Sequence, residues 1–225
     1  MLAYIIIALA AYLLGSIPTG YLAARMKGID IRTVGSGNIG ATNAMRVLGK
    51  PAGIAVLLVD ALKGYAACVC LCPLIFNQLA PHVSGLWVHF QDEPAELQHR
   101  YYLVAGISAV LGHNFTCWLK FRGGKGIATT GGAYLALAWP AVLIALAAFI
   151  LAVLFTRYVS IGSIAAAVAL PAAVWCLPEH SLLLGLVTTA LGAMAIYKHR
   201  SNIKRLMAGT ESRIGQKPEM QEATK

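Results

Sequence analysis

Long apolar stretches recur along the chain with almost no charge inside them. A helix needs about 17–25 predominantly apolar residues to cross the hydrocarbon core of a bilayer. Cut at that length, the sequence gives seven spans: about 2–24, 52–76, 101–119, 127–139, 140–156, 159–177 and 180–197. Only 12% of the residues are charged and 58% are hydrophobic, whereas a soluble domain carries roughly 25% charged residues. The expectation is an all-α integral membrane protein, a bundle of about seven transmembrane helices. It forms one membrane-embedded domain over 1–225, with a basic tail at 198–225 and little room for a separate soluble domain. Residues 127–156 could instead be one long helix kinked at Pro140. Two helices are preferred, because thirty residues would rise about 45 Å, well beyond the apolar core.

The distribution of cations sets the expected orientation. With seven spans and the N-terminus outside, the inside segments are 25–50, 120–126, 157–158 and 198–225. Only Arg100 then falls outside and Lys63 within a span, so 16 of the 18 Lys and Arg lie inside. This satisfies the positive-inside rule. The net charge of +9 would suggest nucleic acid in a soluble protein. Here it suggests topology and contact with anionic headgroups, and no nucleic-acid partner. The five cysteines lie in or beside apolar segments without metal-ligand spacing and read as small apolar residues. No metal or cofactor is expected. The start of the chain lacks a basic n-region and a clean cleavage site, so it reads as a retained first helix. The polar outside loop, 77–100, is unusually long.

Three cationic, glycine- or amide-rich stretches thereby fall on one side of the membrane. The first is Gly35-Ser36-Gly37-Asn38-Ile39-Gly40-Ala41-Thr42-Asn43-Ala44-Met45-Arg46. Its glycines can turn backbone N–H groups toward an anion, and Arg46 offers a planar fork suited to phosphate. The pattern Gly35-x-Gly37-x-x-Gly40 matches the dinucleotide fingerprint, but a membrane helix precedes it instead of a strand, so that reading is discounted. The second is Arg122-Gly123-Gly124-Lys125-Gly126, entering a helix start where free N–H groups and the dipole favour an anion. It is not a Walker loop, because Gly126 follows Lys125 where Ser or Thr is required. The third is Lys198-His199-Arg200-Ser201-Asn202-Ile203-Lys204-Arg205. If the last helix continues, His199 and Asn202 share a face. Asp60 and Lys63 lie in the second span at i, i+3 and read as a structural pair. His113 and Asn114 lie in the third span, about two turns above the Arg122 loop, and His113 reads as a packing residue.

Taken together, GSGNIGATNAMRVLGK, VDALKG, LGHNFTCWLKFRGGKGIAT and KHRSNIKRLMAGTES, in this order, resemble the acyl-phosphate:glycerol-3-phosphate acyltransferase family of bacterial inner membranes. The likeness spans nearly the whole chain. It implies a seven-helix enzyme that transfers a fatty acyl group from acyl phosphate to the sn-1 hydroxyl of glycerol 3-phosphate. The products would be lysophosphatidic acid and phosphate. By resemblance the catalytic set is Ser36, Arg46, Lys125, His199 and Asn202, with Gly209 and Glu211 supporting. Substrate binding falls to Gly35, Gly37, Asn38, Gly40, Thr42, Asn43, Gly123, Gly124 and Gly126, and Asp60, Lys63 and His113 are further supporting residues. The family often carries a proline where this chain has Thr116. The implied partners are the two substrates, membrane lipid and the enzyme that forms the acyl phosphate. None of the six histidines has Asp five residues on, which argues against the acyl-CoA class with its His-x-x-x-x-Asp motif. A transporter or binding protein for an organic phosphate is the alternative. It would call for a polar path and often inverted repeats, and no convincing repeat is present.

Overall fold

The structure is a computed structural model, described over residues 1–84, 89–178 and 181–215. The end of the basic tail, 216–225, and His180 lie outside the described residues.

All regular secondary structure among the described residues is helical. The first span is α1 (Leu2–Ser16) and α2 (Thr19–Arg25), broken at Ile17-Pro18. Proline has no N–H and disfavours helix in the residue before it. The carbonyls freed at the break are taken up by neighbours. Thr116 Oγ1 donates to the Ser16 carbonyl at 2.5 Å, and Lys63 Nζ donates to that of Ile17 at 3.1 Å. A broken helix is tolerated at membrane depth when its backbone groups are satisfied in this way. The short helix α3 (Ala41–Leu48) follows the glycine-rich stretch. The second span comprises α4 (Lys50–Ala66), a wider π-helical turn at Ala67–Leu71 and α5 (Cys72–Ser84). Cys68 in that turn and Cys72 at the start of α5 are buried, and Cys70 is exposed.

The third helix, α6, runs Ala95–Asn114, so it begins earlier and ends earlier than the expected 101–119. Much of the supposed polar loop 77–100 is therefore helix, with α5 reaching Ser84 and Pro94 capping α6. The early end matters for function. His113 and Asn114 do not sit two turns above the glycine loop but touch it. The chain then makes a turn at Cys117–Leu119 and enters α7 (Ile127–Leu137) and α8 (Trp139–Thr156). Two helices rather than one fill 127–156, and the break falls at Ala138. The bundle is completed by α9 (Val159–Cys176), α10 (Leu182–Lys198) and α11 (Arg200–Met207). α10 and α11 meet at a bend of 51° at His199, so the last helix does not continue straight as the shared-face argument assumed.

Among the described residues five helices are long and apolar enough to cross a membrane, and the bent α10–α11 pair would make a sixth. α7 is shorter, at 11 residues, a rise of about 16 Å. It is packed inside the bundle against α4 and α6, where Ala133, Tyr134 and Leu137 join Cys68 and Leu103 in the core. α1 packs along α6 and α8 along α9. At the end of the bundle remote from the glycine-rich stretches, Tyr4, Phe76, Phe90 and Tyr101 form an aromatic cluster.

Candidate active site

The first stretch is organised by Asn43, which is 1% exposed. Its Oδ1 accepts the Ser36 N–H at 2.9 Å. Its amide faces the carbonyls of Ile31, Val34 and Asn38 at 3.2, 3.1 and 2.9 Å. Gly35 sits at φ +63°, and a Cβ there would overlap Asn43 Oδ1. Asn38 Oδ1 accepts the Gly40 N–H at 2.8 Å and turns the chain into α3. Asn43, read from sequence as a ligand of substrate, thus spends its hydrogen-bonding groups shaping the loop. Arg46, one helical turn later, has no hydrogen bond or ion pair among the described residues and borders a cavity.

The second stretch is folded back on the end of α6. The Gly123 N–H donates to the Asn114 carbonyl at 3.2 Å and the Gly124 N–H to the His113 carbonyl at 3.0 Å. These two N–H groups are therefore spent inside the protein and do not face an anion. What remains is the first turn of α7, whose N–H groups lack partners by construction, opened by Gly126 at φ +82°. Lys125 reaches across to Asn202 Oδ1. Burial lowers the Lys125 ammonium to a pKa of about 8; Glu211 opposes the fall, while Arg205 and Arg46 add to it. Lys120 and Phe121 both take left-handed conformations in the turn that leads into the loop.

The third stretch is set by the bend at His199. His199 is 2% exposed and its Nδ1 lies 2.8 Å from the Ala195 carbonyl. A carbonyl only accepts, so Nδ1 carries the hydrogen, and Nε2 of the neutral ring is left as an acceptor. Asn202 donates to Glu211 Oε1 at 2.7 Å, and Arg205 Nε donates to Glu211 Oε2 at 2.6 Å. Burial alone would raise the Glu211 carboxyl; the donors Asn202 and Arg205 more than offset it and hold it below the usual carboxylate value. The segment carrying Glu211 is clasped to the α8–α9 turn. Ile214 N–H donates to the Arg157 carbonyl at 2.8 Å, and the Arg157 guanidinium donates to the Ile214 carbonyl at 2.9 Å.

The three stretches meet around one cavity of about 140 Å³, bordered by Ser36, Arg46, Lys125, His199, Asn202 and Glu211. Asn38, Gly40, Thr42, Asn43 and Gly126 also reach it, as do Asp60 and His113. A second cavity, about 520 Å³, opens beside it and shares Ser36, Asn38 and Lys125. Gly37, Gly123 and Gly124 line this second space together with Arg122, Lys198, Arg200 and Arg205. Gly35, Lys63 and Gly209 border neither. Adjacent cation-bordered cavities that share one lysine suit two phosphate-bearing reactants brought together for group transfer. The family model for glycerol-3-phosphate acyltransferase matches residues 5–209. The chain belongs to the glycerol-3-phosphate acyltransferase family.

Its relatives in that family include the glycerol-3-phosphate acyltransferase of Geobacter sulfurreducens. That protein is 45% identical over 214 residues, covering 95% of this chain and 99% of the relative. The enzyme of the same name from Synechococcus sp. (strain JA-3-3Ab) is 43% identical over 96% of both chains. Among solved structures, the chain is similar to the crystal structure of PlsY (YgiH), an integral membrane glycerol 3-phosphate acyltransferase, in its glycerol 3-phosphate form. The TM-score is 0.78 at 34% identity, over 94% of this chain and 96% of that one. The lysophosphatidic acid form of that protein matches with a TM-score of 0.75. This chain is accordingly a multi-pass membrane acyltransferase.

Sequence reasoning singled out neither Ser160 nor Ser163, which bring hydroxyls to the first cavity from the start of α9. Their i, i+3 spacing just after Arg157 was the available signal. Arg205, named from sequence only as the last residue of the third stretch, borders the second cavity. Among the described residues no group of His, Cys, Asp and Glu is arranged to hold a metal ion.

Proposed function

We propose that the protein transfers an acyl group from acyl phosphate to the sn-1 hydroxyl of glycerol 3-phosphate. The observation that carries this reading is Lys125, buried and shared by two adjacent cation-bordered cavities. Glycerol 3-phosphate occupies the first cavity, its phosphate on Arg46 and its glycerol backbone oriented by Ser36, Asn202 and His199. The phosphoryl group of the donor is received by Lys125 and the N-terminus of α7. The glycerol hydroxyl oxygen attacks the acyl carbonyl carbon and forms the ester bond. The carbon–oxygen bond to phosphate breaks, and phosphate leaves with the electron pair. The hydroxyl proton passes to His199 Nε2 or to a substrate phosphate. An acyl phosphate is a mixed anhydride and needs little activation, so the site mainly balances charge and aligns reactants. Such alignment supplies up to roughly 7–11 kcal/mol in ideal cases.

The whole chain, 1–225, acts as one membrane-embedded domain. It crosses the bacterial inner membrane seven times, with α7 and α8 as an out-and-back pair. Support for the odd count comes from the contact between Arg157 and Ile214, which ties the end of α8 to the end carrying both cavities. The N-terminus is outside and the cavities open to the cytoplasm, where the acyl phosphate is formed by a separate enzyme. Purified protein given acyl phosphate and radiolabelled glycerol 3-phosphate should release lysophosphatidic acid, and should release none with acyl-CoA. Absence of product from acyl phosphate would sink the reading.

A further inference from the structure

Behind the first cavity lies a cluster of buried charges to which acyl transfer, as written above, gives no part. Asp60 and Lys63 on α4 and His113 on α6 are 3%, 5% and 7% exposed. Lys63 Nζ lies 2.9 Å from Asp60 Oδ1. The Thr19 hydroxyl donates to the same oxygen at 3.1 Å, and His113 Nδ1 stands 3.6 Å from it. Taking such ions out of water is costly, and apolar side chains of similar volume often replace a buried pair without loss of stability. Stability alone is thus a weak reason for this cluster. Its geometry supplies a better one. The His113 imidazole lies against Gly124 so closely that a Cβ there would overlap the ring at Nε2. A Cβ on Gly123 would overlap the His113 carbonyl oxygen, and that oxygen also accepts the Gly124 N–H. The loop rests on His113 without slack, so a turn of the ring displaces Gly124, and with it Lys125 and the start of α7.

We propose that Asp60 is a positioning residue: held by Lys63 and Thr19, it fixes the His113 ring on which the Gly123–Gly126 loop is seated. The proposal rests on the reading of that loop, with Lys125, as the cradle of the donor phosphate. Three observations favour this role over mere packing. Asp60 and His113 both border the first cavity. Three neighbours converge on one carboxylate oxygen, which defines its position sharply. The anchor of Lys63 is the Ile17 carbonyl, at a helix break whose geometry is itself fixed by Pro18.

The test is steady-state kinetics on the purified full-length protein, varying acyl phosphate and glycerol 3-phosphate separately. Asp60→Asn keeps the side-chain volume. It should raise KM for acyl phosphate roughly tenfold, the scale expected for a small displacement of a positioning element, and change KM for glycerol 3-phosphate, whose cavity Asp60 also borders, by a smaller factor. Gly124→Ala should do the same. Because both changes act on one loop, the double variant should be no worse than the worse single one. Losses that multiply would overturn the proposal, as would an unchanged KM for acyl phosphate in Asp60→Asn. Should Asp60→Asn fail to purify as a single species, Thr19→Val removes only one donor to the same oxygen. It should raise KM for acyl phosphate by roughly two- to threefold, and no change there overturns the proposal. Lys125→Ala, measured alongside, separates the two levels. If it leaves KM for acyl phosphate unaltered, the cradle reading itself fails. If it is impaired while Asp60→Asn is not, only the positioning role fails.

Discussion

At the scale of single residues, the site is defined by how little of its cationic charge is spent. Arg46 has no partner among the described residues, and Lys125 faces only the neutral Asn202. Glu211 is instead engaged by Asn202 and Arg205. An arriving phosphate therefore meets cations it need not detach from carboxylates. Replacing Lys125 or Arg46 by Ala should lower kcat/KM on the order of a hundredfold or more, as loss of a buried charge-stabilising donor does. The pH dependence follows from Lys125. Burial places its pKa at about 8, so in the free enzyme the ammonium binds phosphate below that value and loses its charge above it. kcat/KM should fall as pH rises through about 8, and Lys125→Arg should move that limb upward, because guanidinium stays charged. A profile flat to pH 9.5 would contradict this. Asn43 makes the opposite kind of prediction. Its amide has four partners inside the loop, so Asn43→Ala leaves buried donors and acceptors unmet. It should lower Tm by roughly 5–10 °C, measurable by thermal unfolding in detergent.

At the scale of elements, helices approach one another through glycine. A Cβ at Gly64 on α4 would overlap the Thr129 carbonyl oxygen, and one at Gly132 on α7 would overlap that of Ala61. Gly15 on α1 and Gly112 on α6 stand in the same relation to Ala109 and Tyr12. Close backbone approach through small residues is how helices pack when lipid is as apolar as they are. The obstructing atoms are backbone, which cannot swing aside. Gly132→Leu should therefore abolish a monodisperse peak on size-exclusion chromatography, while the same change at Gly131, where a Cβ meets open space, should not. Much of this level was legible in sequence. Helix length and low charge located the spans, and the excess length of 127–156 revealed a break. Other features were not legible because tertiary partners decide them. The end of α6 at Asn114 depends on Thr116 and on the loop folding back. The bend at His199 is not announced by proline or glycine. Gly123 and Gly124 looked like anion donors, yet their N–H groups are taken by His113 and Asn114, which no local pattern reveals.

For the whole molecule, four segments distant in sequence gather at one end of the bundle. These are the loop after α2, the loop after α6, the α8–α9 turn and the region following α10. Six cations border the two cavities there: Arg46, Arg122, Lys125, Lys198, Arg200 and Arg205. The far end holds the aromatic cluster around Phe90 and the acidic turn Asp92-Glu93. The cationic motifs were legible one by one, but their convergence depends on each helix pair returning the chain to the same end, a property of the bundle as a whole. Cations are retained on the cytoplasmic side during insertion, and the cavity-bearing end should accordingly face inward. Single cysteines at Lys27 and His89, introduced after the five native cysteines are replaced, test this directly. In intact cells a membrane-impermeant maleimide should label His89→Cys at once and Lys27→Cys only after permeabilisation. The reverse pattern would put both cavities outside, away from any cytoplasmic donor, and would overturn the orientation while leaving the geometry of the site untouched.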